Sequence, residues 1–320
     1  MSVSIPRSLA LSDQVIAALG EPVDVSSALG LTTMVPADGA DGLRALAAIY
    51  DLALAPLDEV GDAVVWQHDL QLVALRCRLE RAYEQALDAW SVEVLDALPP
   101  RTRSDPVATV RALSTMDRVP AVYDWLAERA TMAEIVEFVS LEGGPDDGFD
   151  DLVAICQIGL PAQAKLELAR NYWDELGNGE PAAVHRELHR RLTVAMDIRP
   201  VSRDALSDSA LARSVLGGFL ATNRRLQPEM VGALGMIELQ AGPRCRRVAR
   251  ALERVGAPLD AVPFYDEHAV ADPRHGKDWL DNAIVPLVAG GWGAAIVRGA
   301  AWRAAINRRF FADLAVRFEI

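Results

Sequence analysis

Cysteine is scarce in this 320-residue chain: Cys77, Cys156 and Cys245 are odd in number, far apart, and form no C-x-x-C. That pattern argues against a disulfide framework or a zinc knuckle and fits reduced thiols in a core. Positive charge is also short, with 32 Lys and Arg against 45 Asp and Glu for a net charge of −13. A chain so acidic lacks the clustered cations that bind nucleic acid or an anionic lipid surface. No uninterrupted apolar run reaches the roughly 18 residues needed to span a bilayer, and the opening MSVSIPRSLALSDQ lacks the apolar segment and cleavage site of a signal peptide. The sequence therefore predicts a cytoplasmic protein with no nucleic-acid and no membrane partner, acting on a small molecule; it allows a homodimer. Windows of period-two alternation are missing, and so is any repeat at a solenoid period.

What is present is helical. Hydrophobic residues make up 51% and charged residues 24%, a globular composition. Residues 1–40 mix Pro, Gly, Ser and Thr around one short helical signal, SDQVIAALG, and read as an irregular N-terminal arm. From residue 41 onward, apolar residues recur at helical spacing. The later expected helices cover 105–114, 119–141, 149–159, 161–176, 181–196, 207–223, 228–241, 243–256, 263–289 and 294–318. Prolines stand at many of their first turns, where a missing N–H costs nothing, and glycines close several. The prediction is an all-α chain with residues 41–320 as a single helical domain.

Histidine is rare too, and its placement carries the functional argument. Of five histidines, His68, His185, His189, His268 and His275, the last two lie in FYDEHAVADPRHGKDWL with Asp272 between them, at spacings of four and three. On a helix these spacings stack all three side chains on one face. Imidazoles with a carboxylate suit a first-row transition metal such as iron, manganese or zinc better than calcium or magnesium. Pro273 interrupts this helix by one hydrogen bond, and a kink there is expected to aim the site. Three ligands from one helix do not close a site. In NYWDELGNGEPAAVHREL, Glu175 ends one helix and His185 begins the next across a Gly-Asn-Gly break, so the two can converge on one point. His189 shares the face of His185 and is a rival. Glu142 and Glu238 each stand in an otherwise apolar helix, where a carboxylate is costly unless paired or metal-bound. Asp146, Asp147, Asp150 and Asp151 read as loop and N-cap groups. Tyr172 and Trp173 read as core aromatics that could instead line the pocket, and Arg246 and Arg247 as a solvated pair that could instead meet a substrate carboxylate. A ferritin-like site is disfavoured, because the chain has no E-x-x-H motif.

Glu142, the NYWDELGNG turn with Glu175, His185 and the late H-x3-D-x2-H together resemble the haem-oxygenase-like diiron oxidase/oxygenase family, the iron-containing redox enzymes. The resemblance runs from about residue 134 onward; the SLEGGPDD around Glu142 departs from the KEAD of several members. It implies a haem-oxygenase-like helical bundle with additional N-terminal helices, and a diiron core over roughly residues 130–320. That core would hold two Fe(II)/Fe(III) ions in place of haem, with O2 as co-substrate. It implies catalytic, metal-ligating roles for Glu142, Glu175, His185, His268, Asp272 and His275, and Glu238 corresponds to a carboxylate that some branches use. The implied function is oxidation of a small molecule by O2, first N-oxygenation of an amine or amino acid in specialised metabolism. Cleavage or desaturation of an amino or fatty acid is the alternative. A non-catalytic helical metal-binding or scaffold protein, or a metal-free relative on the same fold, is the reading from another class.

Overall fold

A computed structural model describes residues 10–19, 39–142 and 148–320. Among the described residues every regular element is helical, and the chain is all-α, with further N-terminal helices ahead of those that carry the candidate ligands. Two compact units are formed, one from residues 1–89 with 202–223 and the other from residues 90–201 with 224–320. One domain over 41–320 remains a proposal.

In the first unit lie α1 (Leu11–Leu19), α2 (Ala40–Leu54), α3 (Leu70–Asp96) as far as Ala89, and a helix from Asp208 to Thr222. Helix α1 is the short signal expected inside the N-terminal arm; residues 1–9 and 20–38 of that arm lie outside the described residues. Its first amides are held by Asp41, which accepts from Leu11 N–H at 2.7 Å and Ser12 N–H at 2.8 Å. Gly218 lies flat against the Tyr50 ring, 2.5 Å from where a Cβ would stand. The buried Glu80 carboxylate accepts from Tyr50 Oη at 3.1 Å and Asn223 Nδ2 at 2.8 Å.

The second unit continues with α4 (Pro106–Thr115), α5 (Ala121–Glu128), α6 (Met132–Glu142), α7 (Phe149–Cys156), α8 (Ala162–Glu175) and α9 (His185–Ala195). After α10 (Asp208–Thr222, of the first unit) come α11 (Gln227–Val255), α12 (Pro263–Asp278) and α13 (Gly293–Arg317). Helix α11 is the axis of this unit: Met230, Val231, Leu234, Met236, Val248 and Leu252 along it are buried against its neighbours. Burying a side chain of that size stabilises the fold by roughly 1.5–3 kcal/mol.

Two boundaries differ from the sequence expectation. The expected 119–141 helix is broken between α5 and α6, because Thr131 and Glu134 form a capping box. Glu134 N–H donates to Thr131 Oγ1 at 3.3 Å, and Thr131 N–H donates to Glu134 Oε2 at 2.7 Å. The two helices expected over 228–241 and 243–256 are instead one helix with Pro243 inside it. A proline costs an interior helix one hydrogen bond, and here packing along the whole length of α11 outweighs that loss.

Pro273 does not break α12 either. The carbonyl it deprives of a partner is that of Ala269, four residues earlier, and Arg246 of α11 donates to that oxygen at 3.0 Å. The departure from α-helical winding comes later, as a π-helical turn at Trp279–Ile284, and the chain reverses at Gly291 (φ 94°). The stretch Leu259–Arg317 contains an 18-residue window of mean hydropathy 1.4, long and apolar enough by composition to cross a membrane. The sequence expectation concerned uninterrupted apolar runs, and this window is not one of them, because it tolerates one or two charges. In the structure 39% of that window is buried, and Trp279, Ile284, Ile296 and Trp302 of the longer stretch are core residues of the bundle.

Candidate metal centre

The reversal between α8 and α9 is fixed by three consecutive residues at positive φ: Gly177 (62°), Asn178 (53°) and Gly179 (87°). Asparagine and glycine adopt this region most readily. At Gly177 a Cβ would also lie 2.5 Å from the Ala183 backbone, so no larger residue fits the return of the chain. The reversal places His185, the first residue of α9, beside Glu175, the last of α8. Nδ1 of His185 stands 2.7 Å from Glu175 Oε2, yet lacks the direction of a hydrogen bond.

Helix α12 brings His268, Asp272 and His275 to the same side. The ring of His268 is packed between His185 (centroids 4.5 Å apart) and Phe264 (4.4 Å), and its Nδ1 meets the Phe264 carbonyl at 2.7 Å. A carbonyl only accepts, so Nδ1 carries the proton and Nε2 is left as the ligating nitrogen. His275 is anchored the opposite way: Nε2 lies 2.9 Å from Asp174 Oδ2, and Arg274 holds the same oxygen at 2.7 Å. Its Nδ1 points inward, 3.7 Å from Glu238 Oε2 and 3.9 Å from Asp272 Oδ1, with no hydrogen-bond partner. From α11 comes Glu238, buried, with Oε1 accepting from Asn171 Nδ2 at 2.6 Å. Helices α11 and α12 approach this closely because of two glycines. A Cβ at Gly276 would sit 2.7 Å from the Glu238 carbonyl oxygen, and one at Gly242 would sit 2.7 Å from Pro273 Cδ.

The electrostatics are those of a site built around positive charge. Burial, together with the Glu175 charge, pushes the Glu238 carboxyl well above the ordinary range, and burial with the Glu238 charge does the same to Asp272. Burial also raises Glu175, but the contact with His185 and the charges of His185 and His268 outweigh it and hold the carboxyl low. Burial lowers His185, and the Glu175 contact more than reverses this; His268, by contrast, is pushed down to about 4 by burial and the neighbouring His185 charge.

Ligand atoms of Glu175, His185 and His268 lie within 4.8 Å of one another, and so do those of Glu175, Glu238 and His275. Two ionised carboxylates within 4.8 Å of each other repel by at least about 3.5 kcal/mol at an effective dielectric of 20. Only a proton or a cation relieves that. The unpartnered His275 Nδ1 and Asp272 Oδ2, both buried, face this cluster as well. Three imidazoles and two carboxylates, arranged as two groups with Glu175 in common, fit a pair of first-row transition-metal ions.

Glu175, His185, Glu238, His268 and Asp272 line a cavity of about 160 Å³, walled further by Phe149, Ile237, Ala241, Cys245, Phe264 and Tyr265, with Arg186 and His189 also on its surface; His275 stands behind this lining. The structure thus gathers Glu175, His185, Glu238, His268 and His275 into the two groups and sets Asp272 beside the second. Glu142 lines the same cavity outside both groups, and its Oε1 accepts from Tyr123 Oη at 2.9 Å. Several side readings are corrected. Trp173 is exposed, resting over Gly179, and neither it nor Tyr172 lines the cavity. Arg246 is spent on the Ala269 carbonyl and Arg247 on Asp124. Cys77 is exposed rather than in a core. Asp150 and Asp151 pair with Arg186, while Asp146 and Asp147 lie outside the described residues. Sequence reasoning missed Asn171 and Asp174, which hold Glu238 and His275. Both lie within one helical turn of Glu175, on the stretch already singled out, and that proximity was the available signal.

Residues 137–308 match the model of a family described as iron-containing redox enzymes. No match was found among curated proteins.

Proposed function

The chain belongs to the iron-containing redox enzyme family, and from that premise we propose that it is a non-haem diiron oxidase/oxygenase. We propose further that it activates O2 to N-oxygenate an amine or amino-acid substrate in specialised metabolism. One observation carries the reading: two groups of potential ligands share the Glu175 carboxylate, so that one residue belongs to both sites. In this assignment Glu175, His185 and His268 hold one iron. Glu175, Glu238 and His275 hold the other, with Asp272 beside it and Glu142 on the cavity wall.

When bound, two ferrous ions supply electrons to O2 and act as a Lewis acid. The protein's own residues do the rest. Asp174 and the Phe264 carbonyl fix the two imidazoles in opposite orientations, so each presents one defined nitrogen. Asn171 holds one oxygen of Glu238 and leaves the other turned inward. Phe149, Ile237, Phe264 and Tyr265 keep the reacting end apolar, which limits access of water to a reactive species. Arg186, already shared between Asp150 and Asp151, is the cation placed to meet a substrate carboxylate. A cavity of about 160 Å³ accommodates a substrate of amino-acid size, which favours the amine or amino-acid reading over a fatty acid.

The test is anaerobic loading with Fe(II), followed by exposure to isotopically labelled O2 with a panel of amines and amino acids. Substrate-dependent O2 uptake and labelled oxygen on the product nitrogen are expected. Labelled oxygen only in water, or uptake no faster than that of free Fe(II), would overturn the reading.

A further inference from the structure

Three consecutive residues at the end of α8 point three ways. Glu175 enters both groups of candidate ligands. Asp174 accepts from Nε2 of His275 at 2.9 Å. Trp173 turns outward: it is 52% exposed, with the far edge of its ring over Gly179, where a Cβ would lie 2.9 Å from Cη2. One hydrogen bond and a short run of covalent bonds therefore join the candidate metal centre to an indole in water.

The other anchors of the centre lead to no such group. His268 is held by the carbonyl of Phe264, whose phenyl ring is far harder to oxidise than an indole or a phenol. Glu238 is held by Asn171, which is buried. Oxidisable rings do stand near the centre, but they are shut in. Tyr265 lines the cavity and is buried, and Trp279, one helical turn beyond His275, is fully buried with its indole N–H donating to the Val231 carbonyl at 3.1 Å. Taking an electron from a buried ring leaves a positive charge out of reach of water, which is costly. At Trp173 the same charge is hydrated, and the indole proton passes to solvent. Cys245 also lines the cavity; it is the thiol that an oxidant diffusing within the cavity would meet.

We propose that Trp173 gives electrons to the metal centre when O2 is consumed with no substrate in the cavity, and that it is thereby a site of oxidative modification. The inference rests on the diiron reading above. Reducing O2 to two waters takes four electrons and four protons, and the two ferrous ions give two of the electrons. Trp173 gives the other two, one at a time; its indole then adds one water and releases two protons, leaving hydroxytryptophan. The oxygen gained thus comes from water and not from O2. Half-exposure of the ring is what this step requires, since water must reach the oxidised indole. Oxidising equivalents then leave at the surface instead of attacking the ligands and the cavity wall.

For the test, full-length protein is loaded anaerobically with Fe(II), freed of excess metal, and exposed to O2 without substrate in isotopically labelled water with catalase present. Uptake of O2 is followed, and Trp, Tyr and Cys oxidation is mapped by peptide mass spectrometry against metal-free protein treated alike. Hydroxylated Trp173 carrying oxygen from water is expected, ahead of any oxidation at Trp279, Tyr265 or Cys245. Trp173→Phe, a change at an exposed site that leaves the fold intact, is expected to raise oxidation of those three residues several-fold at parental iron content. A ring that served only to cover Gly179 would alter the melting temperature and leave the oxidation pattern of the interior unmoved. O2 uptake with Trp173 unmodified overturns the proposal and leaves the diiron reading standing. Oxygen from O2 on Trp173, the mark of an oxidant arriving from solution, overturns it as well, and so does a folded Trp173→Phe whose interior is oxidised no more than the parent's. Uptake no faster than that of free Fe(II) would overturn the diiron reading and this inference with it.

Discussion

If Glu175 is common to both metal positions, single substitutions should divide the metal load in a defined pattern. His268→Ala should remove the iron it shares with His185, His275→Ala the one it shares with Glu238, and Glu175→Ala both. Their effects can be sized from linkage. An ion present at about 100 times its dissociation constant stabilises the folded state by about 2.7 kcal/mol. The bundle that carries the site comprises residues 90–201 and 224–320, a size for which 1 kcal/mol moves the melting temperature by about 2–4 °C. Each iron is therefore worth about 8 °C, and the parent protein should melt about 16 °C higher with Fe(II) than without. The His268→Ala and His275→Ala proteins should each show about half that increment and one iron per chain. Glu175→Ala should show little of either, while the helical content of all three stays that of the parent, because the bundle is held by its buried apolar faces. The assay is anaerobic loading, desalting, metal analysis and thermal melting followed by circular dichroism. Two irons retained by Glu175→Ala, or two retained by either histidine variant, would refute the shared-carboxylate arrangement.

Asp174→Asn should lower the Fe(II) affinity of the His275 position by about 10–100-fold, since the carboxylate on Nε2 orients that ring; an anaerobic Fe(II) titration that leaves both affinities at parental values would count against it. The carboxyls of Glu238 and Asp272 are raised by burial and by the charges of neighbouring carboxylates, Glu175 for the first and Glu238 for the second, so in metal-free protein they contribute stability that is full below their unfolded values of about 4 and is lost as pH rises through their folded values. Metal removes that loss, so the melting difference between loaded and metal-free protein should widen from pH 5 to pH 8, and a constant difference would contradict the assignment. Gly276→Ala places a Cβ 2.7 Å from the Glu238 carbonyl oxygen; forcing α11 and α12 apart should cost about 1–3 kcal/mol and reduce iron binding together, which melting and metal analysis of the variant would check.

The sequence by itself determined what is local. The four-and-three spacing puts His268, Asp272 and His275 on one side of α12 because an α-helix turns every 3.6 residues, whatever it packs against. Gly177-Asn178-Gly179 dictates a reversal because few other residues adopt that backbone, and Glu175 and His185 meet as a result. Tertiary structure decided which carboxylates complete the groups. Glu238 joins because Gly276 and Gly242 let α11 and α12 approach to backbone contact, and nothing in its apolar helix announces that neighbour. Glu142 stands on the cavity wall outside both groups, held by Tyr123 from another helix. Pro273 was legible as a missing hydrogen bond, but not as a harmless one, because the donor that answers the Ala269 carbonyl is Arg246, distant in sequence. The ring nitrogen each histidine offers was likewise set by its partners, for His275 by the approach of Asp174 across the bundle. Periodicity and backbone preference act over one or two turns of chain; ligand geometry depends on the distance between helices, which only the packed interior fixes.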